Sequence, residues 1–168
     1  TYRGYIERQL RIARQMCKQV IKLLNNHDAD SFCEFLTNNC TEDLVFREKV
    51  PGVHPITGII ESDVEVVGLT NIQAFVRSFF TGVPDSAMIV EKIEVLNEGK
   101  VVSMRTITVG TAVKSVEYPE SSGSNELSPD FKPVDTKHVG SYALPGYFTF
   151  ILDKTNKLKR MDLINDPL

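Results

Sequence analysis

The chain has 168 residues, of which 42% are hydrophobic and 24% are charged. These are ordinary globular values, and the length favours a single domain over residues 1–168 with its own core. No apolar run approaches the roughly 18 residues of a membrane span, and no secretory signal opens the chain. The composition therefore excludes a helical membrane protein or a disordered one, and it predicts a cytoplasmic or nuclear protein.

The net charge of −3 is unevenly distributed. Residues 1–26 carry six arginine and lysine side chains against Glu7 alone, a net charge of +5, which leaves −8 for the remainder. Such a basic segment can contact nucleic acid or an acidic partner. A solvated helix face is the simpler interpretation, so we expect nucleic-acid contact only through a region upstream of this chain.

Apolar residues near the N-terminus repeat at spacings of 4, 3, 4, 3 and 4. They are Ile6, Leu10, Ala13, Cys17, Val20 and Leu24. This period predicts an amphipathic helix over 1–24 that packs on its own domain. The same spacing is formally a heptad seam, so the helix can also continue an upstream dimerising coiled coil. The chain begins at Thr1 without a methionine, and we therefore expect a fragment or a processed protein.

The three cysteines are predicted to be free thiols. Cys17, Cys33 and Cys40 form an odd set without a CxxC pair. The first two fall among apolar neighbours at helical spacing, where a thiol behaves as a small hydrophobe. This pattern favours a reducing compartment.

Two further helices are predicted in the first half of the chain. Asp28 is placed to cap a helix that ends at Asn39, and His27 marks the preceding helix terminus. Thr70 is placed to cap a third helix, which Gly82 stops. The inner face of that helix is expected to carry Ile72, Phe75, Val76, Phe79 and Phe80.

The strands before and around the third helix follow from alternation and turn residues. Leu44–Glu48 predicts a short strand, and Lys49–Gly58 predicts a loop because it is rich in proline and glycine. Met88–Leu96 and Val101–Val113 predict a hairpin with a turn at 97–100. Gly110 interrupts its second strand and predicts a bend or bulge.

The C-terminal part is predicted to complete the sheet. Tyr118–Gly140 reads as a loop, whereas Tyr147–Leu152 and Leu158–Ile164 read as strands joined by a turn. Together the elements predict an α+β fold. In it, a strongly curved, mainly antiparallel sheet wraps around three N-terminal helices.

Four segments, in this order and spacing, resemble ketosteroid-isomerase-like and SnoaL-like proteins of the nuclear transport factor 2-like superfamily. They are TEDLVFRE (41–48), GLTNIQAFVRSFF with GVPD (68–85), NEGKVVSMRTITVGT (97–111) and FILDKTNKLKRMDLIND (150–166). The resemblance covers about Val20 to Asp166. It implies a cone-shaped barrel that encloses a pocket open at one end, and a homodimer formed through the exposed sheet face. Members include isomerases, dehydratases, epoxide hydrolases, polyketide cyclases and non-catalytic binding modules, so the fold alone does not assign a function.

The resemblance places Glu48 at the position of the catalytic base of the isomerases. In those enzymes a tyrosine and a protonated aspartate donate hydrogen bonds to the enolate oxygen. Here Val20 aligns with the tyrosine, and Gly146 or Tyr147 lies near the aspartate. The full isomerase constellation is therefore absent. The alternative for Glu48 is a surface glutamate between two basic neighbours.

Other candidate catalytic residues are His54 and Asp162. His54 lies in the proline- and glycine-rich segment that is expected to rim the cone, and His138 ends the long loop. Asp162 on the last strand either points into the cavity or pairs with Arg160 or Arg105 across the sheet. These residues show no metal-ligand spacing, so we expect neither a metal nor another cofactor.

Six large apolar residues are the candidate lining of the pocket. They are Phe46, Phe75, Phe79, Phe80, Met104 and Phe148. They either fill the cone as core or surround a small hydrophobic ligand.

Two functions remain open on the sequence. The first is a small-molecule-binding or dimerisation module within a larger protein. The second is a cofactor-independent isomerase, cyclase or dehydratase that uses Glu48, Asp162 or His54. A filled cone with Glu48 in solvent favours the module, whereas a cavity on which these side chains converge favours the enzyme.

Overall fold

The computed structural model describes residues 1–53, 60–120, 125–134 and 141–165. The helices are α1 (Tyr2–Asn26), α2 (Ala29–Asn39) and α3 (Leu69–Gly82). The strands are β1 (Cys40–Val53), β2 (Ile60–Val67), β3 (Ala87–Leu96), β4 (Val101–Thr111), β5 (Val116–Pro119), β6 (Phe131–Val134), β7 (Ser141–Leu152) and β8 (Leu158–Asn165). A single 3-10 turn, Asn97–Gly99, joins β3 to β4.

Six strands form one mixed sheet in the order β2-β1-β8-β7-β4-β3. All neighbouring pairs are antiparallel except β1 and β8, which run parallel. The sheet does not close on itself, and β5 and β6 form a separate two-stranded ribbon beside α3. The predicted α+β class is confirmed. The parallel pair arises because the last strand is inserted between the first strand and the β7–β4–β3 meander.

One face of the main sheet is the core. In β7 every second residue is buried, from Tyr142 through Phe148 to Leu152, whereas residues between them are more accessible. This alternation follows from the two-residue period of a strand. The helices pack over the same inner face: α1 contacts β3 and β4, and α3 contacts β1.

The apolar stripe of α1 packs within the chain. Ala13, Cys17 and Val20 are fully buried, and Gln9 is buried beside them. The helix is therefore an amphipathic helix of its own domain. Over these residues the apolar stripe packs on the chain's own core, and continuation of the helix into an upstream coiled coil stays a prediction.

Two hairpin turns hold the N-terminal half of α1. The Gln9 amide donates to the Asn156 side-chain oxygen, which also accepts from Lys100 Nζ at 2.8 Å. Gly99 has a φ of 87°, and a Cβ there would lie 2.6 Å from Gln9 Cγ. Glycine is required at this turn both by its backbone and by the close approach of the helix.

The opposite face of α1 is basic and solvated. Arg3 pairs with Glu7 at 3.2 Å. The other five cations, Arg8, Arg11, Arg14, Lys18 and Lys22, are exposed and make no ion pair with any residue that the structure describes. Contact with nucleic acid stays a prediction. Within the described ranges no helix is both long and apolar enough to cross a membrane.

Two local predictions in the first half are wrong. The strand that begins at Cys40 continues through Val53, where a loop was predicted from Lys49 onward, because β2 pairs with it along its length. Residues 54–58 of the predicted loop lie outside the described residues. Helix α3 begins at Leu69 after Gly68, whose φ is 98°, so Thr70 is not its cap. Thr70 N–H instead donates to the Asn125 side chain at 3.0 Å.

Two predictions in the second half also need correction. The segment 118–140 is not all loop, because it contains part of β5 and the whole of β6. Gly110 makes no bulge, since it stays in register with Tyr142, and the irregularity of this hairpin lies in β3 between Val90 and Lys92. By contrast, the Asp28 cap is confirmed, with its side chain accepting from Ser31 N–H at 3.1 Å.

The three cysteines are free and buried, as predicted. Burial raises the pKa of the Cys17 and Cys40 thiols to about 12. Both therefore stay protonated at neutral pH, where a thiol reacts slowly. A folded pKa above the ordinary value stabilises the fold at lower pH, and this contribution is lost as the pH rises from about 9 towards 12.

Candidate functional site

A cavity of about 90 Å³ lies between the inner face of the sheet and the helices α1, α2 and α3. Five of the six predicted lining residues surround it: Phe46, Phe75, Phe79, Phe80 and Phe148. Met104 is fully buried and does not line the cavity. The cone is thus only partly filled by its own side chains.

Aromatic rings from three elements form one wall. Phe75 on α3 stacks on Phe46 of β1 with the ring centroids 5.1 Å apart, and it lies 4.8 Å from the ring of Tyr118 on β5. Phe79, one helical turn later, continues the wall at 6.1 Å from Phe75. The i, i+4 spacing on α3 places these rings one above the other. This side of the cavity is therefore aromatic.

Glu48 points into this apolar space. It follows Leu44 and Phe46 on the inward-facing parity of β1, only 8% of its surface is exposed, and it lines the cavity. Burial raises the pKa of Tyr118 and of Tyr142, and the negative charge of Glu48 raises both further. The structure therefore places Glu48 inside the pocket rather than at the surface.

Among the described residues, five polar side chains besides Glu48 line the cavity: Asn25, Ser86 and three from the main sheet. Thr108, Tyr142 and Asn165 come from the neighbouring strands β4, β7 and β8. Sequence reasoning missed Tyr142 because the strand was predicted to begin only at Tyr147. The signal was present in the sequence, because Tyr142, Leu144 and Phe148 share one parity. The inward-facing alternation therefore starts at Tyr142, five residues before the predicted strand start at Tyr147.

Asp162 lies on the other face of the sheet. Its carboxylate accepts from Arg160 Nε at 2.9 and 3.1 Å, so the pairing that the sequence allowed is observed. The same contact raises the pKa of Arg160. Arg105 pairs instead with Glu91, at 3.2 Å. Asp162 does not line the cavity, because its neighbours Met161 and Leu163 occupy the inward parity of β8.

The histidines contribute nothing to the described site. His54 and His138 lie outside the described residues, and their roles stay predictions. His27 is the C-terminal cap of α1, with a φ of 56°, and its ring contacts the Ser86 carbonyl oxygen. In the part of the chain that the structure describes, no three His, Cys, Asp or Glu side chains are grouped to hold a metal ion.

Comparison with known proteins shows the fold. No family model matches the chain, and no curated protein matches its sequence. A proposed SnoaL-like polyketide cyclase from Jannaschia sp. CCS1 is 18% identical with a TM-score of 0.56, over 90% of this chain and 85% of that one. A proposed SnoaL-like polyketide cyclase from Shewanella denitrificans OS-217 is 21% identical with a TM-score of 0.55, over 92% and 90%. A nuclear transport factor 2-like protein of unknown function from Exiguobacterium sp. 255-15 is 12% identical with a TM-score of 0.57, over 90% and 98%.

The chain has the same fold as these SnoaL-like and nuclear transport factor 2-like proteins. The resemblance of the four sequence segments is thereby confirmed at the level of the fold. In this SnoaL-like cone the buried carboxylate comes from β1, whereas a phenol comes from β7. Val20, which the sequence resemblance aligns with the tyrosine of the isomerases, lines the cavity as an apolar residue.

Proposed function

We propose that this SnoaL-like cone binds a small, uncharged and largely apolar molecule. The observation that carries the proposal is the partly filled cavity, with aromatic side chains on one side and Glu48 buried in its lining. Such a pocket, apolar with a few convergent polar groups, is the usual form of a small-molecule site. Proteins of the same fold described as polyketide cyclases support a cyclic ligand.

The charge and size of the cavity limit the ligand. None of the described residues that line it is Lys, Arg or His, so an anion placed beside Glu48 meets no compensating charge from that part of the lining. An apolar protein cavity of about 150 Å³ admits benzene. At about 90 Å³ the cavity is smaller than that, so a ring the size of cyclohexanone requires lining side chains such as Phe79 or Phe80 to move.

Blocking the cavity tests this proposal with a matched pair of variants on β8. Leu163 is 7% exposed and lines the cavity, whereas the adjacent Ile164 is 37% exposed and faces outward. We expect Leu163→Trp to abolish binding of a small apolar probe such as cyclohexanone in calorimetric titration, and Ile164→Trp to leave it unchanged. Leu144→Phe adds less volume and serves if the first variant unfolds. Equal binding by the cavity-filling and outward variants contradicts the proposal.

Proton transfer by Glu48 is the second candidate function, as in a cofactor-independent isomerase, cyclase or dehydratase. The observation that favours it is a buried carboxylate on the same cavity as the phenol of Tyr142. A positioned base contributes roughly 10²- to 10⁴-fold to the rate of a proton transfer. Asp162 and His54 carry no part of this proposal.

Deuterium exchange tests the second candidate without knowledge of the substrate. We expect the protein to accelerate exchange of the protons α to the carbonyl of cyclohexanone in heavy water, measured by NMR. Glu48→Gln keeps the shape of the side chain but removes the base, and we expect the protein-catalysed exchange rate to fall by at least about 10²-fold. Exchange that is equally fast with the Gln variant excludes Glu48 as the base.

A homodimer formed through the outer face of the sheet is also part of the proposal. Tyr147 and Ile164 are partners in the β7–β8 register and are 53% and 37% exposed. Around them lie two ion pairs, Arg47 with Asp63 and Arg160 with Asp162, so this face carries charges of both signs. A mixed-charge face with an apolar centre suits a second copy of itself. Small-angle scattering checks it, and a monomer at high concentration contradicts it.

A further inference from the structure

Four polar side chains on the inner face carry a buried oxygen atom, and we call them the polar band: Thr106, Thr108, Tyr142 and Asn165. The Thr106, Thr108 and Tyr142 hydroxyls and the Asn165 side-chain oxygen have no hydrogen-bond partner among the described residues. Elsewhere in that part of the chain, only Thr41 has such an atom. Because folded proteins satisfy most of their buried polar groups, four unsatisfied atoms in one place call for an explanation.

The strand register places these four side chains side by side. Gly146 on β7 lies between Thr106 on β4 and Asn165 on β8. The next inward residue of β7 before Gly146 is Leu144, which is opposite Thr108. The inward residue before that is Tyr142, which is opposite Gly110. Tyr142 and Asn165 are more than nine-tenths buried and line the cavity, as does Thr108. Three of the four members, Thr108, Tyr142 and Asn165, therefore line the same cavity as the aromatic rings of α3, and Thr106 lies next to them in the register.

Two glycines leave the room that the polar atoms occupy. A Cβ on Gly146 would lie 2.8 Å from the Asn165 side-chain oxygen, and a Cβ on Gly110 would lie 2.9 Å from the Tyr142 hydroxyl. Any larger residue at either position displaces a polar atom of the band. Glycine at these two positions therefore leaves space for the Asn165 oxygen and the Tyr142 hydroxyl, the same atoms that lack a hydrogen-bond partner among the described residues.

The groups of the polar band fit oxygen substituents. Threonine and tyrosine hydroxyls donate or accept, and the amide oxygen of Asn165 accepts. Burial and the charge of Glu48 raise the pKa of Tyr142, so its phenol stays protonated and available as a donor. The band holds no charged group, and a neutral carbonyl or hydroxyl satisfies its members without bringing a charge into the cavity.

We propose that the polar band is the subsite that binds the oxygen substituents of the ligand, with Tyr142 donating to a carbonyl oxygen. The ligand class is then a small cyclic ketone or hydroxyketone. Its ring packs on Phe75 and Phe79, and its oxygen atoms face β4, β7 and β8. This inference rests on the proposed function, because it names the chemistry of a ligand for the same cavity.

A pair of ligands with the same shape tests the polar band separately from the cavity. Cyclohexanone and methylenecyclohexane differ only in an exocyclic oxygen in place of a methylene group. Calorimetry or NMR titration measures the affinity of the folded protein for each ligand, and each affinity is corrected for the partition of that ligand between water and hydrocarbon. After this correction we expect the ketone to bind about five- to tenfold more tightly than the alkene. The preference is expected to fall to about twofold or less in Tyr142→Phe, and to decrease in Thr108→Val.

Tyr5→Phe is the matched control, because this tyrosine lies on α1, is 44% exposed and does not line the cavity. It is expected to keep the full preference for the ketone. Thermal unfolding checks that each variant is folded. If Tyr142→Phe does not fold, Thr108→Val takes its place in the comparison. Equal preference in wild type and both band variants overturns the polar band as a ligand subsite and leaves the cavity proposal standing. Binding of neither ligand to the wild-type protein overturns the proposed function itself.

Discussion

Phe75→Ala is expected to lower the free energy of unfolding by about 3–5 kcal/mol. The Phe75 ring is buried and packs on Phe46, Phe79 and Tyr118. Its removal takes away apolar contact area and leaves a larger cavity, since the surrounding β1 and β5 side chains relax only partly. Equilibrium unfolding in urea measures the loss.

Phe131→Ala is the matched control for this substitution. Phe131 lies on β6 and is 38% exposed, so its truncation is expected to cost less than about 1 kcal/mol. The enlarged cavity of Phe75→Ala is also expected to accept a larger ring. A ligand that binds only the native state then restores part of the lost stability. Equal stability of the two alanine variants contradicts the aromatic wall described above.

Gly146→Ala is expected to destabilise the protein by about 3 kcal/mol. A Cβ at this position would lie 2.5 Å from the Ile164 carbonyl oxygen and 3.0 Å from Asn165 Cα. Both are backbone atoms of the hydrogen-bonded partner strand, so neither moves without separating β7 from β8. The same substitution would displace the Asn165 side chain from the polar band and is therefore expected to weaken ketone binding as well.

Gly4→Ala gives the comparison for Gly146→Ala. Gly4 lies in the first turn of α1, where a Cβ would meet only the Thr1 hydroxyl, at 3.2 Å. Alanine there is expected to change stability by less than about 1 kcal/mol, in the favourable direction, because it restricts the unfolded chain and favours helix. A Gly146→Ala variant as stable as Gly4→Ala would show that β7 and β8 pair differently.

Local chemistry predicted the elements whose determinants lie close together in the chain. The 3.6-residue stripe of α1, the Asp28 cap of α2 and the hairpin turn at 97–100 follow from neighbouring residues. The continuation of β1 past Lys49 could not be predicted this way. It depends on pairing with β2, which overrides the loop preference of Pro51 and Gly52.

The site was predictable only in part for the same reason. Alternation on β8 correctly places Arg160, Asp162 and Ile164 on one face of the sheet. It does not show which face is buried, because apolar residues occur at both alternating sets of positions. The resemblance suggested that Glu48 is at the position of a pocket base, whereas its two basic neighbours suggested a surface glutamate, and the sequence alone did not decide between them. The polar band depends on the register of three strands, and no local motif encodes that register.

The central claim is that the cavity binds a small neutral ligand beside Glu48. Its most direct test is a methyl NMR titration with cyclohexanone. The account predicts chemical-shift changes concentrated at Leu144, Met161 and Leu163, which line the cavity. Changes absent at these methyls, or confined to outward residues such as Ile89 and Ile164, would contradict it.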